Sequence, residues 1–518
     1  ANAVSGPICS LLSLALLAPR PPPHARGAVA LSTATVTARP TFDESVLQSP
    51  RDCDLHRALR ASLKGGGGKA AVQSAACAAI VRAFGCSPGD AGDATGRGDD
   101  AGGGGAAPGD GEVASRATAV LPSGAGKTVL ALRVAEALAS SLTVVLVPAR
   151  DLVSQSHCDW ERWLSAPGPL DGLRSLAVCS STSVPKSVLP RSTDPEAIAT
   201  FLRETEGAPR VIYCTYHSAK RVGAALREVG AAADLLVCDE AHRCTGRTSK
   251  LFARPLYDEF LPARRRLFLT ATPKLSGEKR DADGALIPAG SMDDESLFGR
   301  QVYWLSYGEA VRLGVVSPLK LVFLDVADRY AAWAAGRVSD SDTDDSDLVA
   351  LCLAMLDCRR SYGVRTAFAF SSSNTRAARL ERVATSVLEP DEFAVGRVSG
   401  SMLSDARERR LAPLRRAGEA AAPTQLVTNC RVLAECVDLP SVDLVVFADA
   451  KQSHVDILQC MGRASRIAPG KEFGYILVPV SEAAAEGGAH GRATAVLRAY
   501  AEQDAEFREA LAALVGGE

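Results

Sequence analysis

The chain lacks a surplus of charge: 58 Lys and Arg stand against 60 Asp and Glu, a formal net charge of −2. A globally basic surface is excluded, so any contact with a polyanion must come from local basic loops. It lacks an uninterrupted apolar run long enough to cross a bilayer as a helix, which argues against a membrane partner. Its 14 cysteines include no Cys-x-x-Cys pair and no regular short spacing. That argues against a disulfide framework and for a reducing, intracellular compartment. Residues 1–42 lack Asp and Glu altogether while carrying Arg20, Arg26 and Arg39. With the apolar patch at 8–18 and Pro21 to Pro23, this start reads either as an organelle-targeting segment (plastid or mitochondrion) or as a disordered one. A nuclear location is a further alternative. No internal repeat is evident.

What is present is length and alternation. A chain of 518 residues that is 47% hydrophobic and 23% charged has the composition of a soluble globular protein with two or three domains. An amphipathic helical pattern at 69–84 is followed by a Gly-, Asp- and Ala-rich stretch, 85–111, expected to be a flexible insert. From Ala117 onward short apolar runs alternate with helical segments. Strands are expected at 117–120, 143–147, 211–214, 235–238 and 267–269. After a polar connection from about 273 to 299, a second block follows with strands at 320–324, 367–370, 425–427, 444–447 and 475–478. Such alternation implies doubly wound parallel α/β sheets. The five aspartates within 339–347 precede a helical stretch, where acids suit a helix N-terminus better than a metal site. A last helical pattern covers 493–514.

Two stretches carry chemistry. Leu121-Pro-Ser-Gly-Ala-Gly-Lys-Thr128 sits between a strand and a helix. Pro122, Ser123, Gly124, Ala125 and Gly126 would wrap a polyphosphate with backbone N–H groups at the positive end of the helix. Lys127 would reach the β- and γ-phosphates and Thr128 would hold Mg²⁺. The strict first glycine is absent, because Leu121 occupies it. Leu235-Leu-Val-Cys-Asp-Glu-Ala-His-Arg243 delivers two carboxylates to the end of an apolar strand. Asp239 is placed to hold Mg²⁺ and Glu240 to orient or deprotonate a water. Alone, an Asp-Glu pair is more often a solvated turn; downstream of a phosphate loop that alternative is weak.

In order and type these motifs resemble those of superfamily 2 helicase-type ATPases of the DEAD/DEAH class, and among them the motor segments of restriction-enzyme-like helicases. The resemblance runs from about Lys69 to Pro479. It implies two tandem RecA-like P-loop NTPase domains with ATP bound in the cleft between them, a disordered front and a short helical tail. The divisions expected are 1–64, 65–300, 301–485 and 486–518. By resemblance, Gln73 reads adenine and Asp438, in Glu435-Cys-Val-Asp-Leu-Pro440, also serves the nucleotide. Cys436 stands there where glycine is usual. Arg150 and Gln155, then Thr215, Tyr216 and Ser218, are implied to touch a nucleic-acid backbone in the first domain. Ser372, Asn374 and Thr428 are implied to do so in the second. His242, Thr270 and Thr272 are implied to couple hydrolysis to strand handling. Gln459-Cys-Met-Gly-Arg-Ala-Ser-Arg466 fits QxxGRxxR. Gln459, Arg463 and Arg466 are implied to complete catalysis at the γ-phosphate, with both arginines on one helical face. Some helicases carry an iron–sulfur cluster between the first two motifs, where Cys158, Cys179, Cys214 and Cys238 lie; wide gaps and apolar neighbours favour buried small hydrophobes.

The expected activity is ATP-driven unwinding of, or movement along, DNA, with ATP and Mg²⁺ as cofactors and contacts made through the phosphate backbone. The alternatives are an RNA helicase, the motor of a restriction-type complex whose nuclease or other accessory chain lies elsewhere, and a non-catalytic ATP-binding module.

Overall fold

The run Leu142–Val147, apolar but for Thr143, has no polar face to turn to water and so suits a strand covered on both sides. In the computed structural model all six are buried strand residues. The structure describes residues 34–36, 68–86, 114–180, 186–247, 251–274, 279–280, 286–287, 289–325, 345–400, 402, 404–416, 422–430, 442–449, 453–468, 470–480, 495–501 and 508–509. The expected insert (beyond residue 86), the 1–64 segment apart from 34–36, and Cys436 and Asp438 lie outside the described residues. The chain forms two compact units, Gln48–Leu305 and a second made of Ala1–Leu47 with Ser306–Glu518.

The first unit holds seven parallel strands: β1 (Arg116–Val120), β2 (Leu142–Val147), β3 (Arg174–Val178), β4 (Arg210–Thr215), β5 (Ala233–Asp239), β6 (Ala263–Thr270) and β7 (Arg300–Trp304). Their order is β7-β1-β6-β5-β2-β4-β3. Parallel neighbours need crossovers. Among the helices that accompany the sheet are α1 (Gly68–Ala83), α2 (Lys127–Ala137) and α3 (Arg150–Trp163). Register matters more than order for function. Val120 lies opposite Thr270 and Asp239 opposite Leu269, so the strand ends bearing the phosphate loop, the acid pair and Thr270 meet at one carboxyl edge. Ligands bind at such edges in open α/β sheets.

Arg266, only 1% exposed, is a charge inside this unit. Its guanidinium donates to the carbonyls of Pro255, Leu261 and Ala263 and to Asp258 Oδ1 at 2.7 Å. A buried guanidinium is tolerable only when its donors are taken up in this way, and the bonds pin the loop before β6 to the strand. Gly299 solves a different problem. A Cβ there would sit 2.2 Å from the Arg116 carbonyl, so only glycine lets β7 start against β1.

The second unit has six parallel strands: β8 (Leu319–Asp325), β9 (Thr366–Phe370), β10 (Phe393–Val398), β11 (Thr424–Asn429), β12 (Leu444–Phe447) and β13 (Gly474–Val480). They run in the order β8-β13-β12-β9-β11-β10, with Ala34–Val36 added antiparallel to the outer side of β8. Helices α4 (Ser346–Tyr362), α5 (Asn374–Val387) and α6 (His454–Ala464) belong to this unit. The last acids of the 339–347 run, Asp345 and Asp347, pair with Arg379 and Arg376 of α5. Two doubly wound parallel sheets, one per unit, constitute the tandem RecA-like architecture.

Candidate active site

The phosphate loop owes its shape to two glycines. Gly124 and Gly126 both have positive φ, 90° and 88°, the left-handed region that glycine enters without steric cost. A Cβ on Gly126 would come 2.2 Å from Gln73 Nε2, the movable tip of a flexible side chain, so it is the positive φ that calls for glycine. The Gln73 amide donates to the carbonyls of Ala125 and Gly126, both at 3.3 Å, so in this conformation it braces the loop from α1. Leu121 is completely buried and its N–H bonds the Thr270 carbonyl at 3.0 Å. The side chain standing where the strict motif has glycine therefore belongs to the core.

Lys127 is almost fully buried at the start of α2. Its Nζ lies 3.5 Å from the Leu121 carbonyl and 3.9 Å from Glu240 Oε1. The opposite wall is the end of β5. Asp239 Oδ1 accepts from the Glu240 N–H at 3.0 Å. Burial pushes the Asp239 carboxyl up to about 7, with the Glu240 charge adding to the rise and Lys127 opposing it. Two crowded carboxylates and the half-buried Thr128 hydroxyl form a hard oxygen set that suits Mg²⁺; a divalent cation would relieve the repulsion raising Asp239. Glu240 itself is in the left-handed region (φ 51°, ψ 49°), which costs a non-glycine residue about 1–2 kcal/mol. Strain of this kind, observed at a catalytic candidate, is where functional sites store it.

Beyond Glu240 a polar relay leads to β6. His242 Nδ1 lies 3.4 Å from Glu240 Oε2, 3.1 Å from Thr270 Oγ1 and 3.4 Å from Thr272 Oγ1. Thr270 Oγ1 in turn accepts from the Thr272 N–H at 3.1 Å. One ring nitrogen thus faces three oxygens and can satisfy only one of them well. Burial holds the imidazole below its ordinary pKa, against the upward pull of Glu240.

The expected strand contacts divide sharply. Arg150, Ser372 and Asn374 are exposed and Gln155 is half-buried. Thr215, Tyr216, Ser218 and Thr428 are buried, with their hydroxyls engaged inside the protein. Thr215 Oγ1 bonds Ser218 Oγ at 3.2 Å, and Thr428 Oγ1 donates to the Ala377 carbonyl at 3.0 Å. Tyr216 donates its hydroxyl to the Asp239 carbonyl at 2.8 Å. Hydroxyls at strand ends find main-chain partners more readily than they stay open to solvent. Even Ser372, exposed as it is, gives its hydroxyl and N–H to Asp449 Oδ2 at 3.0 and 2.8 Å. Of the four cysteines between the first motifs, Cys179, Cys214 and Cys238 are buried and Cys158 is exposed.

In the second unit α6 carries Gln459 and Arg463, both buried. Among the described residues Gln459 Oε1 has no hydrogen-bond partner, an orphan that asks for a ligand. Arg466 departs from expectation. The helix ends at Ala464, so the two arginines do not share a helical face. Ser465 Oγ folds back to the Gly462 carbonyl at 3.2 Å. The turn is held by Lys471, whose ammonium donates to the carbonyls of Val442 (2.7 Å), Arg466 (3.2 Å) and Ala464. Burial lowers the Lys471 pKa from 10.5 to about 8; Asp443 opposes the fall and Arg466 adds to it. Between those values the unfolded chain binds the proton that the folded chain has released, so stability attributable to this group rises with pH. Lys471→Met should destabilise the unit by about 1–3 kcal/mol through the orphaned carbonyls. In denaturant titrations the wild-type advantage over Lys471→Met should grow between pH 8 and 10.5. An advantage constant across that window would refute the buried-ammonium account.

The sequence reading missed Trp160, Lys471 and Asp449. No local motif marks them, since each acts on a residue distant in the chain.

Comparison with known proteins agrees with this fold. Residues 70–275 match the family model described as "Type III restriction enzyme, res subunit", and residues 349–468 match "Helicase conserved C-terminal domain". Among solved structures the chain is similar to the "ATP-dependent Type ISP restriction-modification enzyme LlaBIII bound to DNA", at 25% identity with a TM-score of 0.62, over 76% of this chain and 29% of that one. It also shares its fold with a nuclease-deletion mutant of the Type ISP restriction-modification enzyme LlaGI in complex with a DNA substrate mimic, at 23% identity with a TM-score of 0.51, over 76% of this chain and 27% of the other. The chain therefore spans under a third of the length of either enzyme. No curated protein sequence matches it.

Proposed function

We propose that the chain is a superfamily 2 helicase of restriction-enzyme type, a reading supported by the two family models and the LlaBIII likeness, and that it uses Mg²⁺-dependent ATP hydrolysis to move along DNA. One observation carries the reading: at a single sheet edge, Lys127 Nζ lies 3.9 Å from Glu240 beside a loop opened by two positive-φ glycines. In this scheme the loop N–H groups and Lys127 bind the polyphosphate, while Thr128 and Asp239 hold Mg²⁺, which screens phosphate charge when bound. Glu240 accepts a proton from the attacking water. Gln459, Arg463 and Arg466 act on the transferring phosphate. His242, Thr270 and Thr272 carry the change at Glu240 toward the strand-gripping loops, with Arg150, Gln155, Ser372 and Asn374 as surface candidates for the phosphate backbone. DNA is favoured over RNA because the LlaBIII enzyme is described as bound to DNA. A nuclease or other accessory chain is the partner class that such a motor serves.

The test is ATP turnover by wild type and Lys127→Ala with no polymer, single-stranded DNA, double-stranded DNA and RNA. Wild type should turn over ATP faster with DNA, and Lys127→Ala should be inactive in every arm. Equal activity of the variant would sink the site assignment. Stimulation by RNA alone would replace DNA as the substrate, and no stimulation by any polymer would overturn the motor reading.

A further inference from the structure

Two buried aromatic side chains tie the strand-gripping motifs to the nucleotide site, and both act on its magnesium-binding residues. Trp160 is 1% exposed, lies near the end of α3, and donates its indole N–H to the Thr128 carbonyl at 3.2 Å. Tyr216 is also 1% exposed, follows β4 directly, and donates its hydroxyl to the Asp239 carbonyl at 2.8 Å. Each side chain has one polar hydrogen, and a buried indole or phenol must place it on an acceptor. Many carbonyls line this core, yet the two chosen belong to the residues assigned to Mg²⁺. One bond enters the first turn of α2, the other the end of β5.

Packing makes the pair a unit. Trp160 stands edge-on to Tyr213 at 5.7 Å, and His157 of the same helix faces that ring at 5.8 Å. Tyr213 lies in β4, three residues before Tyr216. A displacement of α3 is therefore felt both at Thr128, through the indole, and along β4, through the ring contact. Arg150 begins α3, ten residues and about 15 Å of helix from Trp160. A packed helix shifts as a rigid element, because a close-packed interior transmits displacement instead of absorbing it.

We propose that Trp160 and Tyr216 are positioning residues that couple engagement of a nucleic-acid strand to the geometry of the magnesium site. A strand pulling on the Arg150 end of α3 moves the indole and, with it, the first turn of α2 that carries Thr128. The same displacement crosses to β4, where Tyr216 moves the end of β5 that carries Asp239 and Glu240. Binding at the magnesium site acts back along the same bonds, since coupling between sites is reciprocal. Both side chains are buried and act through main-chain carbonyls. The inference rests on the motor reading above, but it can fail while that reading stands.

The experiment compares wild type, Trp160→Phe, Tyr216→Phe and the double variant. Phenylalanine keeps the ring and removes the donor. Basal ATP turnover without DNA should stay within about 3-fold of wild type, because no reacting group is altered. Stimulation by DNA should fall about 10-fold in each single variant. The tightening of DNA binding by a non-hydrolysable ATP analogue should weaken by the same factor, as reciprocity requires. The double variant should lose little more than either single one if the two bonds belong to one unit. Undiminished stimulation in both variants would overturn the coupling role and leave the motor reading intact. Parallel loss of basal and stimulated turnover would overturn it as well, assigning the pair to stability alone. A wild type that no polymer stimulates would overturn the motor reading and the coupling together.

Discussion

Arg463→Ala should lower the ATP turnover number by about 10³–10⁵-fold, the range that an arginine acting on a transferring phosphoryl group supplies. The KM for ATP should change by no more than a few-fold. The split follows from what the side chain is expected to do. In the proposed scheme Lys127 and the loop N–H groups bind the polyphosphate in the ground state, whereas Arg463 acts only on the transferring phosphate. An interaction gained only as charge builds on the transferring phosphate affects turnover and leaves ground-state binding alone. The local structure supports a held guanidinium: Arg463 is 7% exposed on α6, one turn after the buried Gln459. Arg463→Lys should recover little, since an ammonium lacks the planar fork that meets two phosphate oxygens at once. Arg466→Ala should cost less, because this residue lies past the helix end in a turn fixed through its main chain by Lys471. Steady-state kinetics of the three variants at saturating DNA provides the check. A turnover number for Arg463→Ala within 10-fold of wild type would remove it from the catalytic set.

The strands that could be read from sequence and those that could not differ in one physical respect. Central strands are covered on both faces and appear as uninterrupted apolar runs; β2 and β9 are buried at every residue. Four strands of the two large sheets went unseen: β3, β7, β10 and Ala34–Val36. All four are sheet edges. In β7 the first two residues are exposed, and in β10 the four central ones are half-buried. An edge strand has a solvated side to satisfy, and its sequence, Arg-Gln-Val-Tyr-Trp in β7, carries polar residues that break the pattern. The site divides along a similar line. Groups that would meet substrate, such as Lys127, Asp239 and Glu240, fall in short contiguous motifs because one loop or strand end delivers them together. Groups that hold those motifs in place do not. Trp160 acts 32 residues away, Tyr216 acts 23 away, and Lys471 reaches back 29 to Val442. Only the fold brings these pairs together. Arg466 was misjudged for a related reason: QxxGRxxR spacing suits a helix, but the capping turn that stops α6 depends on a lysine outside the motif.

Glu240→Gln should separate ATP binding from ATP hydrolysis. The substitution keeps size and shape, and it removes one negative charge together with the ability to take a proton. Asp239 keeps its place at the end of β5 and loses the neighbour whose charge helps to push it up to about 7. It becomes a better ligand for a cation, so Mg²⁺·ATP should bind at least as tightly as in wild type. The hydrolytic step should slow by about 10²–10⁴-fold, the contribution of a positioned general base. A glutamine can still present its carbonyl toward His242, now 3.4 Å from Glu240 Oε2, so the relay to Thr270 and Thr272 keeps a partner on that side. The strand-gripping loops should then remain in the arrangement that bound ATP imposes, and the protein should stay on DNA. Two measurements on one preparation decide the matter: single-turnover hydrolysis of bound ATP, and the dissociation rate from DNA in the presence of ATP. Slow chemistry with slow dissociation is the expected pair. Slow chemistry with dissociation as fast as in wild type would mean that the Glu240–His242–Thr270 contacts do not link the nucleotide to the strand. Unimpaired chemistry would mean that the general base lies elsewhere.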